Sequence, residues 1–153
     1  MIFSAGIFIG VVFMLLVMTW FFRNGMIQSV ASPFGFDETV SKTEAAIKQA
    51  GWGIPGQINV NAMTAKKGIE IAPRVHIIEL CKPEYAKAVL EDQSHFAAMM
   101  PCRIGIYEKD GRTYIAKLNT GMMSKFLGGV AKKMMGRVGA EEKEIVASVL
   151  ATR

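Results

Sequence analysis

The chain has 153 residues, with 18 Lys plus Arg against 13 Asp plus Glu and two each of Cys and His. Its net charge of +5 is spread along the chain rather than blocked, which is too mild to argue for nucleic acid and suits an anionic membrane surface. Two cysteines without a C-x-x-C exclude paired zinc-ligand spacing.

The first 22 residues carry no charged side chain, and residues 2–22 form an apolar run closed by Arg23. At 1.5 Å per residue this run makes roughly 32 Å of helix against about 30 Å of hydrocarbon. Thirteen of its residues are Leu, Ile, Val or Phe, and Trp20 stands where an interfacial aromatic belongs. The run predicts a single-pass membrane anchor over residues 1–23, with the bilayer as a partner. A cleaved signal peptide is the rival, but it wants a basic leader and a shorter core, and the small residues Ser29 and Ala31 lie beyond Arg23. Gly6 and Gly10 form a G-x-x-x-G that lets a second helix approach, so both are candidate association residues. Arg23 and Lys42 tilt the positive-inside rule weakly toward a cytoplasmic domain.

Residues 24–153 are enough for one domain with a core. Residues 26–32 read as a strand. A helix follows with Asp37 as N-cap, Glu38 in its first turn and Gly51 at its end. Residues 57–61 read as a strand, 64–68 as a turn or short helical piece, and 74–81 as a strand with apolar residues on both faces. Pro83 opens a helix to about residue 90. Residues 102–108 and 112–118 alternate as two strands joined at Asp110-Gly111, a hairpin dipeptide. Two helices, residues 120–135 and 140–151, are split by Gly136 and Gly139. The pattern predicts an α+β fold with an antiparallel sheet and helices packed on it, in the order β-α-β-β-α-β-β-α. The two apolar faces of residues 74–81 predict cover from a second subunit or from the last helices.

At Cys81-Lys82-Pro83-Glu84-Tyr85-Ala86 and Met99-Met100-Pro101-Cys102-Arg103-Ile104 the chain resembles the family called domain of unknown function 302. Ser32-Pro33 with Phe36-Asp37-Glu38-Thr39, Tyr107-Glu108-Lys109-Asp110-Gly111 and Lys117-Leu118-Asn119 extend the resemblance over about residues 30–150. It implies a small TATA-box-binding-protein-like α+β domain that tends to homodimerise. It is similar to the membrane-anchored members of bacteria and archaea, so the chain is expected in a prokaryotic membrane. The family brings no reaction and no catalytic residues.

Three constellations carry what chemistry there is. Cys81 ends one strand and Cys102 begins another. With Met99, Met100 and His95 nearby they are candidates for a thiol-redox pair or for a soft metal such as copper, against the plainer reading of small buried hydrophobes. Met122, Met123, Phe126, Leu127, Val130, Met134 and Met135 make an apolar stripe at helical spacing, either core or an adaptable surface for a partner or a membrane. Of these, Met122, Met123, Phe126, Met134 and Met135 join Gly6 and Gly10 as the candidate association surface. Glu79 is expected to face Lys or Arg across the sheet. The chain holds no H-E-x-x-H, G-x-S-x-G or phosphate-binding glycine loop, so the expectation leans away from an enzyme, with no resident cofactor. The leading expectation is a membrane-anchored homo-oligomeric binding or assembly module, as a homodimer or within a membrane complex. The alternative is a thiol- or soft-metal-handling protein.

Overall fold

The computed structural model describes residues 2–151, with side chains described for 7–19 and 25–151. Helix α1 (Ile2–Gly25) leads into β1 (Ile27–Ala31), α2 (Phe36–Gln49), β2 (Gly53–Asn59), α3 (Val60–Ala65), β3 (Val75–Cys81) and α4 (Pro83–Asp92). A 3-10 stretch (Ser94–Met99) precedes β4 (Cys102–Lys109) and β5 (Arg112–Leu118). The chain closes with α5 (Thr120–Met123), a 3-10 turn (Ser124–Phe126) and the long α6 (Gly129–Ala151). The five strands form one antiparallel sheet in the order β1-β5-β4-β3-β2.

The hairpin between β4 and β5 turns at Asp110 (φ 52°) and Gly111 (φ 71°), the two left-handed positions a two-residue hairpin demands. Inward-facing Ile78 and Leu80 of β3, Ile104 and Ile106 of β4 and Ile115 of β5 meet Ile47 of α2 and Val138, Ile145 and Val149 of α6. A second cluster joins Val89 of α4, Phe96, Ala131 and Met134.

Several expectations need correction. Gly35, not Asp37, is the N-cap of α2; Asp37 lies in the first turn and gives its carboxylate to Arg74 at 2.6 Å. The second strand runs earlier than expected, because Asn59 caps α3 by accepting from the Ala62 N–H and so ends β2. Gly136 and Gly139 do not split the last helices. The break comes at Gly129 (φ 57°), and α6 runs unbroken through both glycines. Gly139 serves close approach: a Cβ on it would stand 2.4 Å from the Gly121 backbone nitrogen. The methionine stripe is divided by the same break. Met134 and Met135 are buried in α6, each 8% exposed, so they belong to the core rather than to an association surface.

In α1 the described side chains reach from residue 7 to residue 19, about 20 Å of helix. Among the described residues no helix is long and apolar enough to cross a membrane. The side chains of Gly6, Trp20 and Arg23 lie outside those described, while Gly10 has open space around it. The helix joins the domain at Asn119, whose side chain donates to the Gly25 carbonyl (3.0 Å) and whose backbone N–H donates to that of Met26 (2.8 Å).

The outer face of the sheet behaves differently from the inner one. Register places Ile58, Ile77, Gly105 and Ala116 side by side in one row across four strands. One row along, Tyr107 and Tyr114 are cross-strand partners whose rings stack at 5.3 Å. On the other side Glu79 holds Arg103 at 3.1 Å, and Gly56 leaves room for that carboxylate, since a Cβ there would stand 2.6 Å from it. These apolar residues stay half-buried, and neither buried cluster includes one of them.

Candidate functional site

Strand β3 ends at Cys81 and β4 begins at Cys102, so both thiols lie at the same end of the sheet. Leu80 and Cys102 are cross-strand partners, which puts Cys102 on the inner face and Cys81 one step along the neighbouring strand. Both thiols are free. They line a cavity of about 40 Å³ whose wall also contains Met99, Met100, Met134 and Met135. An adjoining pocket of about 230 Å³ shares Met99, Met100 and Cys102 and has Thr120 and Glu142 in its lining.

Two consecutive glutamates of α6 serve opposite sides of this end. Adjacent helical positions differ by about 100°, so neighbouring side chains leave in different directions. Glu141 accepts from the Trp52 indole N–H (2.8 Å), the Lys82 ammonium (2.9 Å) and the Tyr85 hydroxyl. Trp52 and Tyr85 meet edge to face at 5.9 Å, and Lys82 lies over the Tyr85 ring at 5.0 Å. Burial alone would raise the Glu141 carboxyl, but the hydrogen bonds from Tyr85, Lys82 and Trp52 outweigh it and hold the group below its ordinary value. The same carboxylate raises Lys82 and Tyr85, through hydrogen bonding first in each case.

Glu142 is buried, 1% exposed, and accepts from Lys117 Nζ (3.2 Å) and Thr120 Oγ1 (3.0 Å). Burial raises its carboxyl above the ordinary value against the pull of Lys117. The Cys102 thiol is pushed up to about 12, by burial first and then by the charge of Glu142. A thiol held that firmly in the protonated form is a hydrogen-bond donor, not a nucleophile, because the thiolate is the reactive species. Among the described residues no buried side-chain nitrogen or oxygen lacks a hydrogen-bond partner. The cluster Glu142–Lys117–Thr120 therefore clamps α6 to β5 and α5 as a closed network.

The structure thus brings Cys81, Cys102, Met99 and Met100 to one cavity, and leaves His95 out of it. His95 is exposed and tilts against Phe96 at 4.9 Å. No group of three His, Cys, Asp or Glu side chains suited to a metal ion occurs among the described residues. Met122 and Met123 are half-buried, Met122 against Gly25 at the end of α1, and Phe126 is 72% exposed. Sequence reasoning missed Glu141 and Glu142. The signal for Glu142 was its place in the buried stripe Met135, Val138, Glu142, Ile145, Val149, where a carboxylate is the lone polar member.

Comparison with known proteins agrees with this architecture. Residues 28–150 match the family described as domain of unknown function DUF302. A crystal structure of an uncharacterized conserved protein DUF302 from Bacillus stearothermophilus superposes with a TM-score of 0.74 at 22% identity. The match covers 82% of this chain and 98% of that one. No curated protein matches the chain.

Proposed function

The chain belongs to the domain of unknown function DUF302 family, which supplies a fold and no reaction, and from that premise we propose that the protein is a membrane-anchored module that pairs with a second copy of itself. The observation that carries the pairing is the outer sheet face. Its central row of Ile58, Ile77, Gly105 and Ala116 is apolar, and the small residues on β4 and β5 allow close approach of a matching surface. Two such faces related by a two-fold axis bury each other's isoleucines and shield the stacked tyrosines, an arrangement that needs one patch on each copy. The closed hydrogen-bond network under α6 supports a binding role over a catalytic one.

The anchor reading rests on α1. Its large apolar side chains from Ile7 to Met18 are between 40% and 71% exposed, over more than three consecutive turns. A helix apolar on every side needs an apolar environment on every side, and a bilayer supplies it. Anchoring confines the domains to a surface and raises their effective concentration, so a weak face is enough for association.

Ala116→Arg tests the pairing. It places a charge at the β5 end of the apolar row, on the face away from the buried core. Full-length protein in detergent is expected to cross-link as a dimer, and the variant to run as a monomer with unchanged helix content. A monomeric wild-type protein removes the reading.

A second reading is favoured by one observation, the six sulfur-bearing residues Cys81, Met99, Met100, Cys102, Met134 and Met135 that line a single cavity. Thioether and thiolate groups are the ligands of soft ions such as Cu(I). Any such ion has to displace a firmly held proton from Cys102.

A further inference from the structure

We propose that the corner made by α5, the 3-10 turn after it and the first two turns of α6 is a docking surface for an anionic lipid leaflet, and that it presses the domain onto the bilayer at the exit of α1. The proposal rests on the reading of α1 as a membrane span and adds the orientation and lipid class.

Position comes first. Asn119 hydrogen-bonds the carbonyls of both Gly25 and Met26, and Met122 packs so tightly on Gly25 that a Cβ there would stand 3.0 Å from its sulfur. Gly25 lies two residues past Arg23, the first charge after the apolar run. At 1.5 Å per residue that is about 3 Å, so residues in contact with Gly25 sit at headgroup level when the run spans the hydrocarbon.

Charge agrees with position. Between Asp110 and Glu141 the chain contains no acidic residue and six basic ones. Lys117 is used inside the domain by Glu142, and Arg112 stands at the far hairpin. The other four, Lys125, Lys132, Lys133 and Arg137, are exposed on this turn and on α6. Next to Lys125, Phe126 presents its ring to the outside at 72% exposure. An exposed aromatic beside a lysine, four residues on from the Met122 that packs on Gly25, is the chemistry of an interfacial segment. The ring enters the acyl boundary while the lysines meet lipid phosphates.

Hydrogen exchange of full-length protein in nanodiscs tests this, with neutral phosphatidylcholine discs compared to discs containing phosphatidylglycerol. Amides of residues 120–133 are expected to exchange about tenfold more slowly on the anionic discs, an effect lost in high salt. Lys125→Glu combined with Lys132→Glu and Lys133→Glu is expected to abolish the difference, with exchange in β3 and β4 unchanged as the folding control. Equal exchange on both lipids, with the protein retained in the discs, overturns the docking surface and leaves the anchor standing. Protection that ignores lipid charge but grows with protein density also overturns it, in favour of a second copy. Release of the protein from membranes by alkaline carbonate removes the anchor itself.

Discussion

Glu141 and Glu142 are sequence neighbours, and their environments push them in opposite directions. Glu141 is held below its ordinary value, so the stability it contributes is present above pH 4.5 and is lost as the pH falls through its folded value. Glu142 is held above 4.5, so the folded state keeps that proton longer than the unfolded chain, and stability falls as the pH rises from 4.5 through the folded value. Thermal unfolding of full-length protein in micelles, followed across the acid range, is expected to show both slopes. Glu142→Gln removes the falling one and leaves the acid-side loss in place; a variant with an unaltered profile refutes the assignment. Cys102 gives a second measurement at this scale. A thiol at about 12 against an ordinary 9.0 has roughly a thousandfold less thiolate at neutral pH, so iodoacetamide is expected to label it about a thousandfold more slowly than a free thiol. Fast labelling, or a stoichiometric soft metal in purified protein that Cys102→Ser removes, transfers weight to the sulfur-site reading. Some of this was legible in advance. Glu79 was expected to face a cation and finds Arg103. Glu142 was hidden by its neighbours, because Glu141, Lys143 and Glu144 make residues 141–144 look like a solvated helix face.

Among the elements, α6 shows most clearly where residue patterns mislead. Two glycines inside a helix cost about 1 kcal/mol each relative to alanine, which is why Gly136 and Gly139 read as a break. The structure separates them. A Cβ at position 136 meets the Ser124 hydroxyl at 3.7 Å, an ordinary contact, whereas one at 139 collides with the Gly121 backbone at 2.4 Å. Gly136→Ala is therefore expected to stabilise the domain by about 0.5–1 kcal/mol through helix propensity. Gly139→Ala is expected to cost about 1–3 kcal/mol by forcing α5 and α6 apart. Denaturant titration of the two variants checks the contrast, and equal effects would mean that the close crossing is absent. The elements read correctly have strong local chemistry: Pro83 at the start of α4, Asp110-Gly111 at the hairpin, and the alternation of β4 and β5. Those misread depend on partners distant in sequence, as Gly139 depends on Gly121.

For the whole molecule, the order β1-β5-β4-β3-β2 matters as much as the packing. Strands β2 to β5 are neighbours in sequence and in the sheet, so composition and turn signals carried the α+β architecture. The outer face is what sequence showed least clearly. Apolar residues on both sides of β3 left two candidates for its cover, and the last helices turn out to pack on the inner side. The proposed dimerisation through the outer face and the proposed lipid contact through the α5 corner use different surfaces, so Ala116→Arg is expected to abolish the first and spare the second. Strand β1 is an edge strand that pairs with β5 some ninety residues downstream, and all five of its residues are exposed. It is also the strand that α1 leads into, starting at Ile27 opposite Leu118. A mechanical load drawn through α1 enters the sheet at that end of an edge strand and peels its backbone pairs one after another, instead of shearing them together. The inner core beneath Ile104 and Ile106 is built on other strands, so the domain is expected to yield first by shedding β1 while its remaining four strands stay folded.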